Sequence, residues 1–442
     1  MVFGPERPNR TGLPPSLASL SCSSALFVTL ARDRAYRFNR CARGEVLSRK
    51  YRVADAMSQL RAVDVTEVLA QAGEALSKAS RDLIKLDDAE ILSNDSKRNF
   101  IVRAVARYAD GRVRSVIEKA TRSPTYDPAA ANVLQASGLA KEWVACAFLA
   151  SHVPGHGHGA ALLAGDVTNR IMVFEDFGAR LDSLVDPLLK GTAREAYATA
   201  LGRLHADTIG CLEAYHQTFD SIFGPGRPRR PPGWRLAKEA ELVAQRIGGT
   251  PPASELDLLS SRLMDPGPWL ALTHGDPCPD NSLLVDERVR LIDYEFARPS
   301  HALLDGIYWR MGFPTCWCAG RTPADVAVRI DAAYRMELGT SIPLALDDRA
   351  YRIELTYMSV VWLFTCLSWR LDDALERDER WGIWSIRARL LWYLEAVIEM
   401  TDAANLLSGT NRVAQGWLLE LRRRWPDATP LGLYPSFASK PS

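Results

Sequence analysis

Two acidic residues and one amide are spaced in this sequence as phosphoryl-transfer chemistry requires. The segment 274–281 reads HGDPCPDN and supplies Asp276 and, five residues later, Asn281. The segment 291–295 reads LIDYE and supplies Asp293, twelve residues further along the chain. Carboxylate and amide oxygens suit Mg²⁺, which usually takes one or two protein ligands and leaves the rest to phosphates and water. The set therefore indicates a site for a magnesium-bound nucleotide.

Each of the three side chains has a distinct expected role. Phosphoryl transfer requires a hydroxyl placed in line with the phosphate and neutralisation of the charge on the phosphate oxygens. Asp276 is the candidate catalytic base, which accepts or orients the proton of the attacking hydroxyl. Asn281 and Asp293 are the candidate metal ligands. The alternative is a polar loop whose acids are only solvated, and the spacing favours the catalytic interpretation.

Short apolar runs surround these residues and predict the elements that hold them. Residues 269–273 lead into the loop, and residues 282–285 and 289–292 are separated by a polar turn. Such runs, bounded by turn residues, are typical of strands joined in a hairpin. A hairpin at this point would hold Asn281 and Asp293 close together.

The string His-Gly-Asp-x-x-x-x-Asn, followed by Ile-Asp-x-Glu, resembles the aminoglycoside phosphotransferase and choline kinase family. The resemblance covers the chain from about residue 87 to about residue 392 and is strongest between residues 269 and 314. It implies an α+β fold that is bilobal and protein-kinase-like, with a small antiparallel-sheet N-lobe and a large, mostly helical C-lobe. It also implies ATP and Mg²⁺ as cofactors, and transfer of the γ-phosphate to a hydroxyl of a small molecule such as an aminoglycoside or amino alcohol.

A nucleotide-binding lobe should precede the catalytic loop. Residues 89–119 predict three strands, the last two of which are joined by an Asp-Gly turn. Lys119 ends the third strand and resembles the kinase lysine that holds the α and β phosphates. Glu142, in a helix predicted over 139–149, is its expected partner. An ordinary solvated lysine and a surface glutamate are the alternatives.

The loop expected to cover the phosphates departs from the family pattern. Residues 93–99 contain no glycine, although glycine lets backbone amides approach phosphates closely. The strand over 170–178 resembles the family hinge, where backbone groups between Val173 and Phe177 would hydrogen-bond adenine. Glu175 and Phe177 are therefore candidate nucleotide-binding residues, and a buried strand with a polar end is the alternative.

Two features favour a diffusible acceptor over a protein acceptor. Gly275 stands where eukaryotic protein kinases usually have the arginine that reads activation-loop phosphorylation. Only eleven residues separate Asp293 from Asp305, so no long activation segment fits between them. A protein kinase is therefore a less favoured alternative. A nucleotide-binding pseudokinase with a regulatory role is another, although the presence of all three site residues counts against it.

The rest of the chain predicts mostly helices. Residues 193–206 carry apolar residues at helical spacing, and His205 is expected to pack behind the catalytic loop. Asp305 is expected to brace that loop by hydrogen bonding. Core packing is the first interpretation of the later tryptophans, and an aromatic cage for a quaternary ammonium is the second. Four residues share one predicted helical face: Trp381, Trp384, Ala388 and Trp392.

Composition limits the partners and the organisation of the chain. A net charge of +1 over 442 residues predicts no nucleic-acid and no membrane partner, and leaves the oligomeric state unknown. Residues 1–56 hold ten Arg or Lys against four acids, and we expect a disordered extension or a mis-assigned start. The expected parts are this extension, a nucleotide-binding N-lobe over 57–178, a helical C-lobe over 179–425 and a tail over 426–442.

The eight cysteines follow no paired framework, which favours a reducing cytoplasm. Cys316 and Cys318 would need two more ligands to hold a metal, and none lies nearby in sequence. Cys278, inside the catalytic motif, is expected only to fill the loop, because transfer with an aspartate base needs no thiol.

Overall fold

The structure is a computed structural model, and it describes residues 64–94, 99–121, 138–153, 155, 157–178, 194–226 and 236–437. The predicted N-terminal extension over 1–56 lies outside these residues. Within them, a five-stranded antiparallel sheet forms near the start of the chain and helices dominate the remainder, which confirms the predicted α+β class with a small sheet region and a larger helical region. None of the described helices is both long and apolar enough to cross a bilayer.

Among the described residues, the sheet region contains two helices and five strands. They are α1 (Val65–Ser80), β1 (Ile84–Asn94), β2 (Asn99–Tyr108), β3 (Val113–Thr121), α2 (Gly138–His152), β4 (Leu162–Asp166) and β5 (Ile171–Glu175). The strand order is β1-β2-β3-β5-β4, and every neighbouring pair is antiparallel. Strand β5, the last of these five strands in sequence, therefore lies between β3 and β4 in the sheet.

The predicted Asp-Gly turn joins β2 to β3. Gly111 has a φ of 86°, a conformation that a residue without a Cβ adopts readily. Its N–H donates to the Tyr108 carbonyl at 3.0 Å. Strand β2 alternates buried and partly exposed residues, because successive side chains point to opposite faces. Strand β3 continues two residues beyond Lys119, to Thr121.

The helical region begins at residue 194. Its helices are α3 (Arg194–Asp207), α4 (Leu212–Phe223), α5 (Leu236–Ile247), α6 (Ala253–Met264), α7 (Leu303–Gly306), α8 (Ala324–Leu338), α9 (Asp348–Glu376), α10 (Ile386–Ala404) and α11 (Ser408–Arg424). Its strands are β6 (Leu270–Thr273), β7 (Ser282–Val285), β8 (Arg288–Leu291), β9 (Arg298–His301), β10 (Arg380–Trp381) and β11 (Trp384–Ser385). Strands β7 and β8 form the predicted hairpin. Strand β6 pairs with β9, a pairing that no sequence pattern indicated.

Two hydrophobic cores cover the two faces of the sheet. The larger core fills the helical region and reaches the sheet through α2 and Ile117. The smaller core lies between α1 and the opposite face, where it includes Val116. Because side chains alternate along a strand, Lys119 shares the α2 side with Ile117. Glu118 shares the α1 side with Val116.

The prediction that Trp381, Trp384, Ala388 and Trp392 share one helical face is wrong for Trp381 and Trp384. Trp381 and Trp384 pair across the β10–β11 hairpin, whose turn contains Gly382 at a φ of 67°. Residues i and i+3 face each other across a two-residue turn, just as they share a face on a helix. The Arg370 and Arg389 guanidiniums lie 4.6 and 4.3 Å from the centroid of the Trp381 ring. Two cationic side chains of the protein therefore lie against the Trp381 ring, which argues against a cage for a quaternary ammonium at this ring.

Glu118 is a carboxylic acid buried in the smaller core. The residue is 1% exposed, and neither of its carboxyl oxygens has a hydrogen-bond partner among the described residues. Burial raises the pKa of Glu118 to about 8, because an apolar environment disfavours the ionised form. The side chain is therefore expected to be neutral at pH 7 in the folded protein.

Replacing Glu118 should flatten the pH dependence of stability. The pKa is 4.5 in the unfolded reference and about 8 in the folded protein, so the folded state binds more protons between these values. Stability of the wild type must then fall as pH rises across this window. Glu118→Gln cannot ionise at this position. From the lower to the upper end of the window, its free energy of unfolding should therefore fall less than that of wild type, by up to a few kcal/mol. Urea denaturation at the two ends of the window measures the difference.

A matched control for this experiment is Glu74→Gln. Glu74 is exposed on α1, so its replacement should leave the pH dependence as in wild type. Equal pH dependence in wild type and in Glu118→Gln would contradict the interpretation.

Candidate active site

The backbone of the catalytic loop is held by the carboxylate of Asp305. This residue is fully buried. Its Oδ2 accepts from the His274 N–H at 2.6 Å, and its Oδ1 accepts from the Gly275 N–H at 3.1 Å. His205 Nε2 lies 3.3 Å from the same Oδ2. Hydrogen bonds to a carboxylate are stronger than neutral ones, so the predicted roles of Asp305 as a brace and of His205 as a packed residue behind the loop are confirmed.

The loop turns sharply at Gly275. Its φ is 79°, and a Cβ at this position would lie 2.5 Å from the Phe296 carbonyl oxygen. Both the conformation and the available space therefore require glycine. On the preceding residue, His274 Nε2 donates to the Ile292 carbonyl at 2.9 Å. These contacts fix the loop against the segment that carries Asp293.

Three side chains hydrogen-bond the half-buried carboxylate of Asp276. The Tyr308 hydroxyl donates to Oδ1 at 3.0 Å, and the Thr315 hydroxyl donates to the same oxygen. Asn281 Nδ2 donates to Oδ2 at 3.3 Å. Burial and the charge of Asp276 raise the pKa of Tyr308, so its hydroxyl keeps the proton that it donates.

The remaining acceptor position of Asp276 is on Oδ2. A carboxylate oxygen offers two lone pairs. Oδ1 lies against two hydroxyls that also hydrogen-bond each other, whereas Oδ2 accepts one hydrogen bond within the described part of the chain. A further hydroxyl that bonds to Asp276 would therefore bond to Oδ2.

Asn281 and Asp293 are placed at one site by the β7–β8 hairpin. The Ile292 N–H donates to the Asn281 carbonyl at 2.9 Å, so the residue before Asp293 contacts Asn281 directly. The amide nitrogen of Asn281 faces Asp276, so its Oδ1 is the atom that could bind a metal ion. Asp293 has a φ of 64°, a left-handed conformation that is uncommon outside glycine and recurs at functional sites. These two residues offer hard oxygen donors, the set that Mg²⁺ prefers.

Lys119 joins the sheet to α2 and to the residues that follow β8. Its Nζ donates to Glu142 Oε2 at 2.5 Å and to Asp293 Oδ1 at 2.6 Å. Burial alone lowers the pKa of Lys119, but the charges of Asp293 and Glu142 outweigh it and the pKa is raised. The structure therefore contains the expected ion pair between Lys119 and Glu142, and adds Asp293 to it.

Glu175 and Phe177 lie where the chain leaves β5. The Glu175 N–H donates to the Ala161 carbonyl at 2.9 Å, so this N–H is used within the protein. Phe177 is buried in the larger core. Between them, Asp176 accepts from Arg103 Nε at 3.0 Å, which fixes the segment against the sheet. Contact of this segment with a nucleotide stays a prediction.

Cys278 forms a disulfide with Cys316, with 5.5 Å between their Cα atoms. The expectation that Cys278 only fills the loop is therefore wrong. The two residues are 38 positions apart, and a pairing over such a distance leaves no local sequence pattern. The sulfur of Cys318 lies within 4.8 Å of both disulfide sulfurs.

Tyr308 and Thr315 are functional candidates that no motif indicated. Both lie in the segment 308–318, which follows α7 and returns to the catalytic loop. Their only signal in the sequence is their position shortly after Asp305. Sequence reasoning had no means of predicting that this segment folds back onto Asp276.

The chain matches a known enzyme family over the part that carries this site. Residues 173–335 match the sequence profile of the APH family, described as the phosphotransferase enzyme family. The match contains the catalytic loop and Asp293, and confirms the resemblance over a narrower range than the sequence predicted. This part of the chain is therefore similar in sequence to phosphotransferases. A search of curated proteins found no match.

Several solved structures are similar to this chain at low identity. A choline/ethanolamine kinase family protein from Mesorhizobium loti has 17% identity and a TM-score of 0.42, over 84% of this chain and 99% of its own. Choline kinase LicA from Streptococcus pneumoniae has 15% identity and a TM-score of 0.40, over 75% of this chain and 98% of its own. A choline kinase from Cryptosporidium parvum has 11% identity and a TM-score of 0.44, over 80% of this chain and 100% of its own.

Removing the Thr315 hydroxyl should slow catalysis without weakening nucleotide binding. Thr315→Val keeps the shape of the side chain but removes one of the two donors that orient Oδ1 of Asp276. We expect kcat to fall about tenfold, a fraction of the 10²–10⁴ that a positioned base contributes. The KM for the nucleotide should stay unchanged. Steady-state kinetics on the purified protein measures both values.

Thr322→Val provides the control. The Thr322 hydroxyl donates to the Trp309 carbonyl at 2.9 Å and makes no contact with Asp276. Its loss should leave kcat unchanged. A Thr315→Val enzyme with wild-type kcat would show that this hydroxyl does not position the base.

Proposed function

We propose that this protein is an ATP-dependent O-phosphotransferase that moves the γ-phosphate to a hydroxyl of a small molecule. The observation that carries the proposal is the arrangement around Asp276 and Lys119. An oriented carboxylate with one open acceptor position lies in the same loop as Asn281, and Asp293 connects that loop to Lys119. In this proposal residues 57–178 bind the nucleotide and residues 179–425 carry the catalytic loop and the acceptor.

The proposed base is Oδ2 of Asp276. The acceptor hydroxyl hydrogen-bonds to Oδ2, the position that the Tyr308 and Thr315 hydroxyls leave open. Its oxygen bonds to the γ-phosphorus while the bond from that phosphorus to the bridging oxygen of ADP breaks. The proton of the hydroxyl passes to Oδ2, and ADP leaves with the electron pair of the broken bond. The contribution of the protein is positioning and electrostatic stabilisation.

The donor set of Asn281 and Asp293 fits Mg²⁺. When bound, the ion would neutralise charge on the phosphate oxygens. Asn281 is 4% exposed and has its amide nitrogen fixed on Asp276, so its oxygen is oriented in advance. Asp293 keeps about a quarter of its side chain exposed, at 27%. An exposed carboxylate next to a buried amide oxygen gives a metal ion access from the solvent side.

Lys119 is the proposed partner of the α and β phosphates. The ammonium is held by Glu142 from α2 and by Asp293, and its raised pKa keeps it charged. Residues 175–177, including Glu175 and Phe177, are the proposed adenine-binding segment. Its place at the end of β5, next to β3, supports this assignment.

A small acceptor is favoured by the path of the chain after Asp293. Residues 298–301 form β9, which is paired with β6 behind the catalytic loop. The next residues form α7, which contains Asp305. The whole interval is therefore used to build the loop support, and no part of it forms a platform for a peptide. An aminoglycoside, an amino alcohol or another hydroxylated small molecule is the expected acceptor class.

Substituting Asp276 tests the proposed base directly. Asp276→Asn retains an oxygen for the Tyr308 and Thr315 hydroxyls but cannot take a proton. We expect phosphate transfer to fall by about 10²–10⁴-fold, the usual contribution of a general base, with ATP affinity unchanged. Radiolabelled ATP in a screen of aminoglycosides, amino alcohols and sugars measures transfer, and calorimetry measures ATP binding. Wild-type transfer in this variant would refute the assignment.

Substituting Asp293 tests the proposed metal ligand. Asp293→Asn should lower transfer roughly hundredfold or more, since charge stabilisation by a metal contributes several kcal/mol. It should also raise the Mg²⁺ concentration needed for half-maximal rate. The matched control is Asp286→Asn, in the exposed turn between β7 and β8, which should behave as wild type. An unchanged Mg²⁺ requirement in Asp293→Asn would contradict the proposal.

A further inference from the structure

Three buried cysteines meet beside the catalytic loop. The sulfurs of Cys278, Cys316 and Cys318 all lie within 4.8 Å of one another, and each of these residues is fully buried. Cys278 and Cys316 form the disulfide. Cys318 retains its thiol, to which the Tyr434 hydroxyl donates at 3.6 Å. The cluster therefore holds one disulfide and one thiol close enough to react with it.

The disulfide connects the two segments that meet at the proposed base. Cys278 lies two residues after Asp276 in the catalytic loop. Cys316 directly follows Thr315, whose hydroxyl donates to Asp276. On the far side of the loop, Trp317 Nε1 donates to Asp280 Oδ2 at 3.0 Å. The disulfide thus lies between two hydrogen bonds, from Thr315 to Asp276 and from Trp317 to Asp280, that also join the catalytic loop to the segment 308–318.

The segment that carries Cys316 has a separate attachment to α10. Arg389 Nη1 donates to the Cys316 carbonyl at 2.6 Å, and Nη2 donates to the Trp317 carbonyl at 3.1 Å. The Tyr393 hydroxyl donates to the Pro314 carbonyl at 3.2 Å. Because these bonds do not involve sulfur, breaking the disulfide leaves the segment on α10. Reduction would release only its covalent connection to the catalytic loop.

We propose that Cys278, Cys316 and Cys318 form a reversible thiol–disulfide site that couples the redox state of the protein to the position of Asp276. In the disulfide form the catalytic loop is fastened to the segment that bears Thr315. In the dithiol form that connection is lost and the carboxylate is less well oriented. The effect on catalysis rests on the proposed transferase function, whereas the thiol chemistry does not.

The chemistry of the site balances with a dithiol as the reducing partner. Two electrons and two protons pass from the external dithiol to the Cys278–Cys316 bond, which gives two protein thiols and one external disulfide. The oxidised form of the same reagent reverses the reaction. Cys318 adds a route inside the protein: its thiolate attacks the Cys278 sulfur, a Cys278–Cys318 bond forms, and Cys316 leaves as a thiolate. A neighbouring thiol of this kind makes a disulfide exchangeable, and a purely structural disulfide has no need of one.

The experiment compares the full-length protein after treatment with dithiothreitol and after treatment with oxidised dithiothreitol. Alkylation followed by peptide mass mapping identifies the bonded cysteines. Hydrogen exchange of the amides of residues 274–281 reports the mobility of the loop. Hydrolysis of Mg–ATP, with water in place of the acceptor, reports catalysis. We expect the disulfide to disappear and return, loop exchange to rise on reduction, and the hydrolysis rate to fall about tenfold, the order of effect that a small misplacement of a catalytic group produces.

Variants separate the roles of the three sulfurs. Cys316→Ser should show the reduced behaviour under both treatments. Cys318→Ser should keep the disulfide but lose it more slowly to dithiothreitol. Cys211→Ser, a change at a buried thiol outside the cluster, should respond as wild type.

Three results would overturn the proposal. The first is three alkylated thiols at 278, 316 and 318 even after oxidation. The second is one zinc ion per chain in the isolated protein, because three close thiolates also suit that metal. The third is equal hydrogen exchange of the loop amides in the disulfide and dithiol forms. That result would overturn the proposal even if neither form hydrolyses ATP. Absence of both ATP hydrolysis and phosphate transfer in the acceptor screen would refute the transferase function alone.

Discussion

The ion cluster at Lys119 is the interaction on which the rest of the site depends. One ammonium bonds two carboxylates, Glu142 from α2 and Asp293 from the end of β8, and so joins three elements that are far apart in sequence. Two carboxylates share this one ammonium, and Asp276 adds a third carboxylate to the site. Desolvated charge is unfavourable unless it is compensated. A site rich in carboxylates would suit the magnesium-bound nucleotide that we propose.

The catalytic loop depends on support from residues that do no chemistry. Asp305 holds two successive backbone amides of the loop, and Tyr197 donates to the Pro277 carbonyl. Asp276 is itself oriented by Tyr308, Thr315 and Asn281. Because the donors to this carboxylate come from the segment after α7 and from the loop itself, the carboxylate is fixed from two sides. Such support lets a base act without reorganising when the acceptor arrives.

Much of this arrangement could be predicted from the sequence, because its signals are local. Alternation and an Asp-Gly turn predicted β2 and β3, and the apolar runs around the motif predicted the β7–β8 hairpin, after which Ile292 bonds to Asn281. Predictions failed where a helix and a hairpin give the same sequence spacing. Residues three positions apart share a face on a helix, but Trp381 and Trp384 instead face each other across a two-residue hairpin turn. Predictions also failed for contacts between distant residues, such as Thr315 with Asp276 and Cys278 with Cys316. No local pattern encodes these contacts, because they exist only once the segment after α7 has folded back.

The geometry at Gly275 restricts how this enzyme can be regulated. Protein kinases usually place at this position an arginine that pairs with a phosphorylated activation loop. Here any Cβ would meet the Phe296 carbonyl oxygen at 2.5 Å, and the backbone has a φ of 79°. The arginine is therefore excluded by the fold and is not merely replaced in the sequence. Since the interval between Asp293 and Asp305 is used for β9 and α7, a second common means of control, an activation segment that orders on phosphorylation, is also excluded. The thiol–disulfide site that we propose acts on the other side of this loop, where residues 308–318 and the three sulfurs meet it.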